Sequence, residues 1–104
     1  MKPEQFIREY RVEKAREVVA NQPKMNATQY RAKDKKYSSL FKPSPEIVYV
    51  ADLKRLVESI DLVESWGGIE DLKLYDLSHC KDKPESAGYK LLKAIADYES
   101  IYGG

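Results

Sequence analysis

Apolar positions recur at helical spacing over most of the chain and give way to short β-branched and aromatic runs only in its middle. Phe6, Ile7 and Tyr10 follow Pro3, a residue tolerated in a first helical turn, and Val12, Ala15, Val18 and Val19 come next. At 100° per residue the centres of the two sets lie roughly 140° apart. The pattern therefore predicts two short helices with a break near Tyr10–Arg11, the second ended by Asn21–Gln22–Pro23.

From Lys24 to Pro45 the character changes. Thr28–Gln29–Tyr30–Arg31 and Tyr37–Ser38–Ser39–Leu40–Phe41 are short, aromatic and hydroxyl-rich, with Lys33–Asp34–Lys35–Lys36 between them. This reads as a β-hairpin with a charged turn, although no glycine marks the tip. Ile47–Val48–Tyr49–Val50 suits a third short strand. Its rival is a helix starting at Ser44–Pro45–Glu46, where cap and first-turn chemistry is good. The β-branched run favours the strand.

The clearest element follows. Val50, Leu53, Leu56, Val57, Ile60 and Val63 form one narrow apolar stripe, with Asp52, Lys54, Arg55, Glu58, Ser59 and Asp61 off its centre. Trp66–Gly67–Gly68 stops this helix, because glycine accepts the left-handed cap conformation. Ile69, Leu72 and Tyr75 begin another amphipathic helix that fades by His79–Cys80. Ser86 caps a last helix whose expected face is Leu91, Leu92, Ile95, Tyr98 and Tyr102. The predicted architecture is α+β in a single domain over residues 1–104: mainly helical, with a small antiparallel sheet of two or three strands in the middle.

Composition narrows the function classes. Of 104 residues, 42% are hydrophobic, enough for a packed core and too many for a disordered tail. The net charge of +1 points to no partner class, so any electrostatic argument is local. A single cysteine, Cys80, forms no intramolecular disulfide. The first ten residues lack the apolar run of a signal peptide, and no stretch approaches a membrane span. A cytoplasmic location without membrane association is the expectation.

Candidate chemistry is sparse. His79 and Cys80 are sequence neighbours and point in different directions on a helix, which argues against a nucleophile–base pair. A zinc site built on His79, Cys80 and Asp82 lacks soft ligands. The chain carries no phosphate-cradling glycine loop, no GxSxG and no HExxH. Glu58, Asp61 and Glu64 read as a solvated helix face. The expectation is a protein that is not an enzyme, with no cofactor and no bound metal. The helix–Gly67–Gly68–helix unit also admits a helix-turn-helix reading, but Glu70, Asp71 and Asp76 would face phosphates, so a plain helical hairpin fits better.

Local charge carries more. Between Pro23 and Pro45 the bases Lys24, Arg31, Lys33, Lys35, Lys36 and Lys42 stand against Asp34 alone, a local charge of +5. From Glu46 onward the balance is −5. Among the eight tyrosines, Tyr30, Tyr37 and Tyr49 cluster with Phe41 in the β segment. Half-exposed tyrosine is common at binding surfaces, while cross-strand packing is its commoner use in a small sheet. The candidate binding residues are Tyr30, Arg31, Lys33, Lys35, Lys36, Tyr37 and Phe41. A basic hairpin with interleaved aromatics over 31–42 can also track a nucleic-acid backbone, and charged turns equally serve to block edge-to-edge aggregation.

Asp52–Leu53–Lys54–Arg55–Leu56–Val57–Glu58–Ser59, Leu62–Val63–Glu64–Ser65–Trp66–Gly67–Gly68, Leu92–Lys93–Ala94–Ile95–Ala96–Asp97–Tyr98–Glu99 and the opening Pro3–Glu4–Gln5–Phe6–Ile7–Arg8–Glu9–Tyr10 carry a likeness that extends over about half of the chain, mainly its ends and the central helix. In these segments the chain resembles the small uncharacterised accessory-region proteins of lambdoid phages and enterobacterial prophages. The likeness lies in helix faces and carries no active-site residue. It implies a phage or prophage product that binds and modulates a bacterial host protein, such as a nuclease or defence factor. The alternative is a small nucleic-acid-binding regulator that uses the basic hairpin. Leu62 lies roughly 170° from the central stripe, and Trp66 is also off it, so that helix needs apolar cover on a second side. This favours a homodimer by a small margin over a monomer.

Overall fold

A computed structural model describes residues 1–75, 82–83 and 85–103. In chain order the elements are α1 (Pro3–Ala20), β1 (Gln29–Arg31), β2 (Lys36–Ser38), β3 (Ile47–Tyr49), α2 (Val50–Ser65), α3 (Ile69–Leu72) and α4 (Ala87–Tyr102). The fold is α+β and mainly helical, with one three-stranded antiparallel sheet in the order β2-β1-β3. The chain divides into two compact units, Met1–Val57 and Glu58–Gly104, with the division inside α2.

In the first unit, α1 is broken where its two apolar faces diverge. Arg11 sits at φ 73°, ψ 164°, a region open in practice only to glycine. The break turns both halves inward, so Phe6 and Ile7 are buried on one side of it and Ala15 and Val18 on the other. Strain of this kind costs about 1–3 kcal/mol. Glycine relieves it but gives back roughly 0.4–1 kcal/mol through a freer unfolded chain. Arg11→Gly is therefore expected to raise the melting temperature by several degrees, at about 4–8 °C per kcal/mol for a domain near this size. Thermal denaturation checks this, and an unchanged or lower midpoint means the backbone at Arg11 is not strained.

The hairpin pairs Gln29 with Ser38, Tyr30 with Tyr37 and Arg31 with Lys36 across the four-residue turn Ala32–Lys35. With no glycine at the tip, Lys35 takes the left-handed position, at φ 57°. The 46–50 segment resolves in favour of the strand. Ile47 and Val48 are both buried and pair with Arg31 and Tyr30, and Val50 N–H donates to the Thr28 carbonyl at 2.9 Å as the chain turns directly into α2. Tyr37 Oη donates to the Val18 carbonyl at 2.6 Å and so satisfies an acceptor at the C-terminal end of α1. Val50, Leu53, Leu56 and Val57, the first part of the stripe on α2, are all buried.

In the second unit, Gly67 and Gly68 end α2 at φ 94° and 105°. Gly68 N–H donates to Val63 O and Gly67 N–H to Glu64 O, the Schellman arrangement. Ser86 caps α4 by accepting from Tyr89 N–H at 3.1 Å. Val63, Leu72, Leu91 and Ala94 form a buried cluster flanked by Leu62, Ile69, Ile95 and Tyr98.

Three expectations need correction here. The buried face of α4 is Leu91, Ala94 and Ile101, while Leu92 is half-buried and Tyr102 exposed; small Ala94 lies inside the cluster where the larger apolar residues were expected. The helix after Gly68 is a single turn, anchored by Ile69 and Leu72, and Leu74 and Tyr75 beyond it are exposed. The expected continuation to His79–Cys80 lies outside the described residues. Leu62, half of the case for a homodimer, packs on the cluster of its own chain, while Trp66 remains partly exposed with Tyr75 edge-on at 5.8 Å.

Candidate functional site

The expected binding residues lie on the hairpin, around its turn and just beyond it, but the sheet sorts them into different roles. Tyr30 on the central strand is buried, its ring edge-on to Phe6 at 6.1 Å and to Tyr37 at 5.0 Å. It is a core residue, which corrects its assignment to a surface. Tyr37 is half-buried, with its hydroxyl bound to Val18. Burial pushes both phenols above the ordinary tyrosine value. Lys33, Lys35 and Lys36 are exposed.

Arg31 ends β1 and is engaged by Asp34 of the turn and by the Phe41 ring. Its Nε donates to Asp34 Oδ1 at 2.8 Å and its Nη2 to Asp34 Oδ2 at 2.6 Å. Its guanidinium carbon lies 4.2 Å from the centre of the Phe41 ring, so an edge and a face of the group are both occupied. The hydrogen bonds from Arg31 hold the Asp34 carboxyl below its ordinary value of 3.8 and raise the guanidinium in turn. A carboxyl lowered in the folded state contributes stability above its unfolded value and loses it as the pH falls through the folded one. The clasp is therefore expected to hold at neutral pH and to open as the pH falls below the ordinary carboxylate value. A carbon-detected NMR titration of Asp34 should give a midpoint below 3.8, and a midpoint at or above that value would mean the clasp does not persist in solution.

Beyond β2 the chain returns as an irregular strap, residues 39–46. Gln29, only 5% exposed, holds it in place. Its Nε2 donates to Phe41 O at 3.1 Å, and its Oε1 accepts from Phe41 N–H at 2.9 Å. A side-chain amide thus pairs with the backbone of Phe41 as a neighbouring strand would.

Between the strap and the turn lies a cleft of about 580 Å³, with Leu40, Phe41, Pro43 and Ile47 as its apolar lining and Arg31, Lys33 and Lys42 among its polar residues. Leu40 is 88% exposed. Comparison with known proteins finds no match to a family model, a curated protein or a solved structure. The chemistry of the cleft has to speak for itself.

The structure brings Arg31, Lys33 and Phe41 together in this cleft. Tyr30, Lys35 and Tyr37 line a smaller one of about 130 Å³ with Lys14, Glu17 and Asn21, and Lys36 lines neither. Sequence reasoning missed Gln29, Leu40 and Lys42. An isolated leucine between two serines and an aromatic reads as strand packing, and nothing local marks Gln29 as buried. Among the described residues no group of three or more His, Cys, Asp or Glu is placed to hold a metal, and no helix is long and apolar enough to cross a membrane. His79 and Cys80, weighed above as metal or catalytic residues, lie outside the described residues.

Proposed function

We propose that this chain is a non-enzymatic binding protein of phage or prophage origin, acting in the bacterial cytoplasm by attaching to a host protein through the hairpin-and-strap face. The observation that carries the reading is Leu40, almost fully exposed on a strap that buried Gln29 fixes in place. An exposed apolar side chain at the mouth of a cleft, next to an anchored residue and with lysines beside it, has the makeup of a protein-contact patch. The sequence resemblance supplies the biological setting.

The nucleic-acid alternative draws on the exposed Lys33, Lys35 and Lys36. It has less support. Arg31 already commits Nε and Nη2 and its charge to Asp34, and the ring of Tyr30 is buried where base stacking would need it free.

Affinity capture from bacterial lysate with mass spectrometry, run in parallel on the unaltered chain and on Leu40→Asp, tests the reading. A host protein retained by the first and lost by the second is the expected result. Retention of nothing specific, or equal retention by both, would overturn it.

A further inference from the structure

We infer that the cleft between the hairpin turn and the strap takes an extended acidic peptide segment that carries an apolar anchor side chain. The inference rests on the reading above, that this face contacts a protein, and names the chemistry of what it contacts.

Charge provides the first argument. Arg31, Lys33 and Lys42 line the cleft against Asp34 and Glu46. Arg31 is matched by Asp34, but Lys33 and Lys42 are exposed and make no ion pair with any described residue. Two unmatched cations beside one cleft favour carboxylates across from them. Glu46 also lines the cleft, close enough to Arg31 to raise its basicity. It sets a polarity: the acidic residues of the segment belong beside Lys33 and Lys42, and its neutral or basic end beside Glu46.

The lining provides the second. Leu40 gains by being covered, because burying an exposed leucine is worth about tenfold or more in affinity. A volume of about 580 Å³ accommodates a large side chain together with its neighbours.

Preorganisation provides the third. Gln29 is buried and places both of its hydrogen bonds on the backbone of Phe41, so the wall stands before any ligand arrives. The Lys42 N–H one residue later has no acceptor among the described residues and is available to an extended backbone.

Selection of a displayed random-peptide library against the whole chain tests this. The expected consensus has Asp or Glu on one side of Leu, Phe or Trp and a neutral or basic residue on the other. A labelled peptide of that consensus, followed by fluorescence anisotropy, should lose at least about tenfold in affinity on Leu40→Asp. The double change Lys33→Glu with Lys42→Glu should weaken it similarly and flatten its salt dependence. All three positions are exposed or partner-free, and a thermal melt of each variant verifies folding. No enrichment, a basic or uncharged consensus, or equal binding by Leu40→Asp overturns the inference. Displacement of the peptide by an oligonucleotide that responds to the same changes overturns it in favour of nucleic acid. Host-protein capture lost on Leu40→Asp without peptide enrichment keeps the protein-binding reading and rejects the peptide. Enrichment without a captured host protein does the reverse.

Discussion

Replacing Leu56 by alanine is expected to destabilise the protein by about 2–5 kcal/mol. Leu56 is fully buried at the centre of the α2 stripe, between the equally buried Leu53 and Ile60. Truncation removes the transfer free energy of three carbon atoms and leaves a cavity that a helix fixed by neighbours on the same stripe cannot collapse to fill. A domain of this size has a total stability of about 5–15 kcal/mol, so one side chain accounts for a large part of it. Urea denaturation measures the change directly: the midpoint should fall sharply with little change in slope. An unchanged midpoint would mean that the stripe is not core. The exposed Glu58, two positions along, provides the contrast, since Glu58→Ala should shift stability by less than about 0.5 kcal/mol.

Gln29→Ala is expected to cost about 1–3 kcal/mol, because it strips both hydrogen bonds from the Phe41 backbone and leaves part-buried polar groups without protein partners. Its distinguishing consequence is local. Phe41 N–H should exchange with solvent far faster than in the unaltered chain, while the amides of α4 keep their protection. Arg31 should lose its fixed place over the Phe41 ring, since the strap that carries the ring is no longer anchored. Amide exchange followed by NMR or mass spectrometry checks the first, and the ring-current shifts of the Arg31 side-chain protons check the second. Equal protection of Phe41 in the two proteins would show that the strap is held by something other than Gln29. Gln29 is not among the residues lining the cleft, so weaker peptide binding by this variant would measure preorganisation rather than a lost contact.

Much of the fold was legible in the sequence because the signals behind it are local. The break at Arg11 follows from two apolar sets that cannot face one core from a straight helix. The Gly67–Gly68 stop and the Ser86 cap follow from backbone and side-chain chemistry within one turn. The hairpin was visible in its short aromatic and hydroxyl-rich runs on either side of a charged turn, and the third strand in the β-branched Ile47–Val48 pair. Where the reading slipped, local spacing was insufficient. Ala94 and Ile101 displaced Leu92 and Tyr102 from the buried face of α4 because the position of the neighbouring elements decides which side of a broadly apolar helix goes inward.

The candidate site was only half legible, for the same physical reason. Residue type and charge marked 31–42 as the segment with binding character, and the chain places a cleft there. Which side chains remain free to bind depends on partners distant in sequence. Tyr30 is removed to the core by Phe6, Tyr37 is committed to the Val18 carbonyl, and Leu40 is held out toward solvent on a strap anchored by Gln29. The sequence by itself therefore determined the three long helices, the Gly67–Gly68 stop, the Ser86 cap, the strand segments and the basic character of the hairpin, all of which arise from residues a few positions apart. Only the tertiary structure decided which residues of that hairpin are structure and which are surface, because burial and hydrogen-bond pairing arise from contacts between segments that no local pattern records.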